Sequence, residues 1–319
     1  MDKSLDVITI GDAMVTMNPK SKGPLRYVAE FERKVGGAEL NLAIGCARLG
    51  MRSAWISRLG DDEFGRYVYN FARGEGIDVS NVRFMEGYTT SVNFKEIRED
   101  GAGRTFYYRM NSPTLTLKAE DLPIEDIKNS RILHITGVFS AIRQNDMSVI
   151  HKAIEIAKKN NVLVAFDPNI RFKLWSKEEA RNCLTQLLPY VDIMLTGAEE
   201  AEFLLGVRDL DEMIAKFTEY GIGCMAIKQG SEGSVGYNEG LKVSMPAVKV
   251  NTIADTVGAG DGFDAGFLLG IIRGWPLEKT LTFANTVGSM VVSVSGDNEG
   301  LPYYEEVMQK LGASEFIER

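Results

Sequence analysis

Short apolar runs alternate with longer stretches of helical periodicity along most of the chain. Leu5–Gly11 (LDVITIG) is a strand pattern, and Ala38–Gly50 repeats apolar positions at helical spacing before a glycine stop. Arg52–Ser57 reads as a second strand and Asp62–Arg73 as a helix. Strand Ile132–Thr136, helix Asp146–Lys159, strand Val162–Asp167 and helix Lys177–Leu188 follow. Asp192–Leu195 and Cys224–Lys228 are further strands, and Ala259–Arg273 is a strongly apolar helix. Strands that are apolar at nearly every position suit burial on both faces, and their alternation with helices marks βαβ units. The pattern predicts a doubly wound α/β fold with a mostly parallel sheet.

Two stretches break this rhythm. Met14–Lys34 has no helical period and contains Pro19, Gly23 and Pro24. Thr89–Asn111 reads as two extended runs, Ser91–Arg98 and Arg104–Met110, around the turn Glu99-Asp100-Gly101-Ala102-Gly103, which is a hairpin signal. Inserted β material beyond the strand ends of an α/β core is a natural lid over a site at those ends. The predicted organisation is one domain over 1–319 with a small β-sheet lid formed by insertions at about 14–34 and 89–111.

Composition narrows the class. With 45% apolar and 25% charged residues over 319 positions, the chain is ordinary globular material, which excludes disorder and coiled coil as its main architecture. The balance of 36 basic and 44 acidic side chains, 36 − 44 = −8, argues against nucleic acid or an anionic membrane as partner. A small anion needs only a local positive site and is not excluded. Cys46, Cys183 and Cys224 lie far apart and read as reduced thiols, while His134 and His151 are isolated and read as structural. The first residues carry charges at Asp2, Lys3 and Asp6 without an apolar secretory core, and the apolar run Gly266–Ile272 is too short to span a bilayer, so a cytoplasmic location is expected.

The sharpest chemical feature is Asp255-Thr256-Val257-Gly258-Ala259-Gly260-Asp261 ahead of the apolar helix. Two glycines around a small residue let backbone N–H groups converge on an anion at a helix N-terminus, where the dipole adds partial positive charge. Asp261 in the first turn reads either as a cap or as a general base beside that anion. The dipole is expected to keep it ionised at neutral pH, a weak base suited to phosphoryl transfer, in which the acceptor loses its proton late. A dinucleotide fingerprint fails because Phe263 stands where the third glycine is needed, and no GxxxxGK[ST] sequence is present.

DTVGAGD resembles the C-terminal signature of the ribokinase-like (PfkB) family of small-molecule kinases. Gly36-Gly37-Ala38-Glu39-Leu40-Asn41-Leu42-Ala43, closing on Arg48-Leu49-Gly50, resembles its N-terminal signature, and Gly60–Gly65 its GxDxxG segment. The resemblance spans the chain in order and implies the fold inferred above. It also implies an ATP-dependent kinase using Mg2+, with Asp261 as base and Gly258, Ala259 and Gly260 as anion hole. Gly36, Gly37 and Asn41 would line the sugar pocket. Lys228, Gly230 and Gly233 match the family's KxGxxG turn beside the nucleotide, and Asn285 falls in the helix that borders the adenine. Asp255 is implied in binding a monovalent cation such as K+, as in some relatives. The NxxE motif tied to magnesium falls on Gly197–Glu200, with Gly197 replacing the Asn and Glu200 retained. A dimer through the lid is a further implication.

Alternation along Thr105-Phe106-Tyr107-Tyr108-Arg109 puts Tyr107 and Arg109 on one strand face, a hydroxyl beside a guanidinium that suits a hydroxylated acid. Asp167-Pro168-Asn169-Ile170-Arg171 supplies a second Arg at the carboxyl edge of a strand. Both stretches resemble 2-keto-3-deoxygluconate kinases, which carry a YYR lid element and the DxNxRxxLW run found here from Asp167 to Trp175; in that subgroup the residues matching Tyr107, Arg109 and Arg171 contact the acid. Thr16 stands where many sugar kinases of the family have a substrate-binding Asp, and Asn93 where that subgroup often has a Tyr. The sequence therefore points to a kinase of a sugar acid. A neutral ketose or riboside is the alternative within the same chemistry, and a non-catalytic sugar binder the alternative outside it.

Overall fold

The computed structural model describes residues 3–98, 103–143 and 146–313. In chain order its strands are β1 (Leu5–Ile10), β2 (Met14–Pro19), β3 (Phe31–Gly36), β4 (Ser53–Gly60), β5 (Val82–Met85), β6 (Ser91–Ile97), β7 (Gly103–Tyr108), β8 (Ser130–Thr136), β9 (Leu163–Asp167), β10 (Ile193–Gly197), β11 (Cys224–Lys228), β12 (Ser234–Asn238) and β13 (Leu241–Met245). The larger sheet has the order β13-β12-β11-β10-β9-β8-β1-β4-β5, parallel from β11 to β5 with an antiparallel edge of β12 and β13. Neighbouring residues on its central strands feed opposite faces. Ile8, Leu133 and Val164 pack with Phe139, Ile150 and Phe217 on one side. Val7, Ile132 and Ala165 pack with Phe263, Phe267 and Leu281 on the other. That two-sided burial explains the unbroken apolar runs in the sequence.

The chain runs outward from β1 to β4 and β5 on one side, then returns to β8 and proceeds through β9 to β11 on the other. The carboxyl ends of β1 and β8 therefore flank a topological switch point, where open α/β sheets bind ligands. The second sheet, in the order β3-β2-β6-β7, is the small β lid. Its register pairs Thr16 with Asn93 and Asn93 with Tyr107. The hairpin expected over Thr89–Asn111 is present as β6 and β7; its turn residues Glu99–Ala102 lie outside the described residues.

Met14–Lys34, expected as lid material without strand bounds, supplies β2 and most of β3. Met14, Val15 and Thr16 are all buried, so no period-two alternation could mark the strand. The helix expected over Lys177–Leu188 stops at Thr185, and a short 3-10 turn containing Pro189 follows. Trp175 is buried in the core, as a packing residue should be. Burial pushes the thiols of Cys183 and Cys224 up to about 11 and about 12, which leaves them poor nucleophiles. Among the described residues no helix is long and apolar enough to cross a membrane.

Candidate active site

A cleft of about 740 Å³ lies between the carboxyl edge of the large sheet and the small sheet. Its walls include Gly37, Asn41, Arg171, Lys228, Gly258 and Asp261, drawn from segments far apart in sequence.

One end is built by the helix Ala259–Ile272. Gly258 is its N-cap, at φ 79° and ψ −10°. A Cβ at Gly258 would lie 1.9 Å from the carbonyl oxygen of Asp297, so only glycine fits. A Cβ at Gly260 would lie 3.7 Å from the Lys228 ammonium, in ordinary contact, so the first helical turn and that cation stand side by side. Lys228, at the end of β11, is ion-paired with Asp264 at 2.9 Å and faces Asp167 at 3.8 Å. Burial works against its charge, but Asp167, Asp264 and Glu200 outweigh that cost and hold its pKa above the usual value.

Asp261 faces this end of the cleft, with its side chain buried. Its Oδ2 accepts from Asn41 Nδ2 at 2.8 Å and its Oδ1 from Asn169 Nδ2 at 3.4 Å. Burial pushes its carboxyl up to about 6, against the Asn41 hydrogen bond and the charges of Arg171 and Lys228; Asp167 adds to the rise. Desolvation thus outweighs the helix dipole; with a carboxyl at about 6 Asp261 is still mostly ionised at pH 7, as expected, but is a stronger base than an ordinary aspartate.

The other end is built by the lid and by the loop after β9. From β7 the cleft takes Thr105 and Tyr107 on one face, with Arg109 just beyond; Phe106 and Tyr108 face away, as alternation requires. Arg109, however, is not free to meet an anionic substrate. Its Nη2 is 2.8 Å from Asp12 Oδ2, and both side chains are buried. The same Asp12 carboxylate accepts from Ser91, Ser112 and Thr114 hydroxyls at 3.1, 3.1 and 2.9 Å. Asp12 therefore ties β1 to the lid, and Arg109 answers Asp12. Arg171 differs: it is exposed on the cleft wall and, among the described residues, forms no ion pair. Asn93 Nδ2 donates to Thr16 Oγ1 at 3.1 Å, while its own Oδ1 is buried without a partner.

Several expected positions stand elsewhere. The space left by the missing side chain of Gly36 is filled by Asp297, whose Oδ2 would be 2.4 Å from a Cβ there, so Gly36 lies behind the cleft wall while Gly37 lines it. Glu200 accepts from the backbone N–H of Gly197 at 3.0 Å and of Ile170 at 2.8 Å. Glu200 lines the cleft beside Gly197, and each of its carboxylate oxygens accepts one backbone N–H, which caps the helix start and holds the loop bearing Arg171. Among the described residues no cluster of acids, His or Cys is arranged to hold a metal ion. Gly233 would place a Cβ 2.1 Å from Met245 O, and Asn285 Nδ2 donates to Met245 and Pro246 carbonyls at 3.3 and 3.2 Å. Both hold the segment after β13, and neither they, Gly230 nor Ala259 reach the cleft wall.

Sequence reasoning missed Asp12, Glu39, Lys95 and Asp297, all on the cleft wall. Asp12 could have been found, since it follows the end of the first strand at a switch point. Glu39 is a wholly buried acid hydrogen-bonded to Thr136, and burial raises it to about 7 despite that bond. Lys95 and Asp297 carry no local signal.

The sequence model of the pfkB family carbohydrate kinases matches residues 4–303. The chain belongs to this family. A 2-dehydro-3-deoxygluconokinase of Thermoproteus tenax is 34% identical over 97% of this chain and 95% of its own length. Fructokinase-1 of Oryza sativa subsp. japonica is 32% identical over 95% and 96% of the two chains. Among solved structures, an uncharacterized sugar kinase from Pyrococcus horikoshii in complex with ATP aligns with a TM-score of 0.80 at 26% identity, covering 95% of this chain and 97% of that one. As a pfkB carbohydrate kinase the chain is a phosphotransferase acting on a sugar. Relatives at similar identity carry names of different acceptors, so the acceptor must be argued from the cleft.

Proposed function

We propose that this carbohydrate kinase transfers the γ-phosphoryl group of ATP to a terminal hydroxyl of 2-keto-3-deoxygluconate (2-dehydro-3-deoxygluconate) or a close sugar acid. The observation that carries the acid reading is Arg171, an exposed residue that forms no ion pair among the described residues and lies on the wall that also presents Asp261. A carboxylate there gains a charge-assisted contact, whereas Arg109 is already neutralised by Asp12 and is left to orient the acceptor together with Tyr107. Asp261 takes the acceptor proton as the hydroxyl attacks, and Asn41 and Asn169 hold its carboxylate in place. The amides of Gly258 and Gly260, with Lys228, meet the transferred group at the helix N-terminus.

The nucleotide reading is supported by Gly258, Gly260 and Lys228 standing together on the cleft wall at the helix N-terminus. Magnesium, when bound, neutralises phosphate charge; without an acidic cage among the described residues it fits as an ion carried by the nucleotide phosphates. The reading takes 1–319 as one unit closed by the lid segments. It also takes the chain as a dimer through the lid, whose outer face stacks Phe94 edge-on to Tyr108 at 5.7 Å and leaves Phe106 and Tyr108 exposed. Sedimentation equilibrium should then return twice the 35.3 kDa chain mass, and a monomer mass would remove the dimer.

An ADP-release assay across sugar acids, ketoses and ribosides tests the activity. Arg171→Ala should raise KM for the sugar acid roughly 10- to 100-fold, as for a lost charge-assisted pair, and change fructose less than about threefold. Equal losses on both would contradict the acid reading. A fructokinase-like reading is favoured by the orphaned Oδ1 of Asn93, which can accept from a neutral hydroxyl, and would show as fructose turning over faster than any acid.

A further inference from the structure

The lid strand β6 sends Lys95 into the cleft between two acids of the anion-hole region. Its Nζ is 2.6 Å from Asp297 Oδ1 and 3.7 Å from Asp255 Oδ2. Asp255 opens the loop that ends at Gly258, and its Oδ1 also caps the Val257 N–H at 3.1 Å. Asp297 belongs to the opposite wall of that loop: its carbonyl lies against Gly258 and its carboxylate fills the space beside Gly36. The next acid, Glu299, is paired with Lys34 at 3.4 Å, and among the described residues Lys95 is the cation that serves Asp255 and Asp297. Burial pulls Lys95 down, yet Asp297, Asp255 and Glu299 more than offset it, so the ammonium is charged at neutral pH.

This geometry does not fit the monovalent ion that the family resemblance implied at Asp255. One oxygen of that carboxylate accepts a backbone N–H and the other faces an ammonium, so a K+ ion would meet a fixed positive charge.

We propose that Lys95 is a positioning residue for phosphoryl transfer, an internal cation that fastens the lid to the anion-hole loop and makes the enzyme independent of monovalent ions. Three separate pieces meet at one ammonium: β6 of the lid, the 255–258 loop that shapes the anion hole, and the 297 segment that packs against Gly258. The pairing exists only while the lid strand lies over the cleft. Lid closure and ordering of the anion hole are therefore coupled through one side chain.

The inference rests on the kinase reading, and its test includes an arm that does not. Wild type and Lys95→Met are compared in KCl, NH4Cl and choline chloride at equal ionic strength, by initial rate and by thermal melting. Wild type should show the same kcat and Tm in all three salts. Lys95→Met in choline should lose roughly 10²-fold in kcat with KM for ATP changed less than about threefold, as for a displaced catalytic loop. K+ or NH4+, free to enter between the two acids, should recover at least about tenfold of that loss and raise the Tm of this variant by about 2 °C or more. The charge-neutral Lys95→Met/Asp297→Asn protein guards against misfolding: it should fold, stay slow and gain nothing from K+. Wild-type activity or melting that rises with K+ overturns the proposal, and so does wild-type kcat in either variant. If no acceptor turns over at all, the kinase reading falls, while the melting curves still decide whether Lys95 replaces the ion.

Discussion

Asp261→Asn should lower kcat by about 10³-fold or more while the protein stays folded, because general-base assistance is worth about 10² to 10⁴ and the substitution keeps the side-chain volume. The pH profile supplies an independent check. Burial raises the Asp261 carboxyl to about 6, and only its deprotonated form accepts the acceptor's proton. The rate of the wild type should therefore be flat above that value and fall about tenfold per pH unit below it. The same shift carries a stability consequence of known sign. The native state holds this proton more tightly than the unfolded chain, so stability is lost as pH rises from the unfolded value through about 6. Asn at this position has no charge to desolvate. Asp261→Asn should thus melt higher than wild type at pH 8, by a few degrees for a shift worth roughly 3 kcal/mol, and show no such gain at pH 4. Substantial turnover by the variant would remove Asp261 from the role of base.

Gly258→Ala should be almost as damaging, by a different route. The position combines φ 79° with a carbonyl 1.9 Å from where the new Cβ must go, and that carbonyl belongs to backbone rather than to a movable side chain. The loop has to shift, and with it the amides that meet the transferred phosphoryl group. Loss of such pre-oriented donors costs roughly 10² to 10³ in kcat. A control separates the shift from simple backbone strain. Gly206 has a similar φ of 72° with no atom near its absent Cβ. Gly206→Ala should cost about 1–3 kcal/mol of stability and leave kcat unchanged. If Gly258→Ala behaves like Gly206→Ala, the close approach to Asp297 is not what shapes the anion hole.

Much of the catalytic end was legible in the sequence because one contiguous segment builds it. A glycine pair, a helix start and an acid in the first turn are local facts, and Arg171 follows a readable strand end. The residues whose surroundings the sequence did not show are those whose neighbours come from elsewhere. Gly36 was expected to open the pocket, but the room it leaves is occupied by Asp297, more than two hundred and fifty positions away. Arg109 was expected to hold the substrate's carboxylate, but β1 delivers Asp12 to it. Glu200, on the cleft wall, also accepts two backbone amides that no local pattern announces. Gly233 and Asn285, which the resemblance placed by the nucleotide, both meet the chain at and just beyond the end of β13.

The sequence alone determined the α/β rhythm, the parallel central strands, the hairpin of the lid and the glycine-flanked helix start with an acid in its first turn, since each depends on periodicity or on neighbours within a few residues. The tertiary structure decided which charges are free. Burial set Asp261 near 6 against its helix dipole, because desolvation depends on everything packed around a carboxylate and not on its own segment. It also decided that Arg171 rather than Arg109 is available to an anion, and that an ammonium from the lid stands between Asp255 and Asp297. Charge pairing across a switch point is fixed by which strands become neighbours, and no local pattern carries that information.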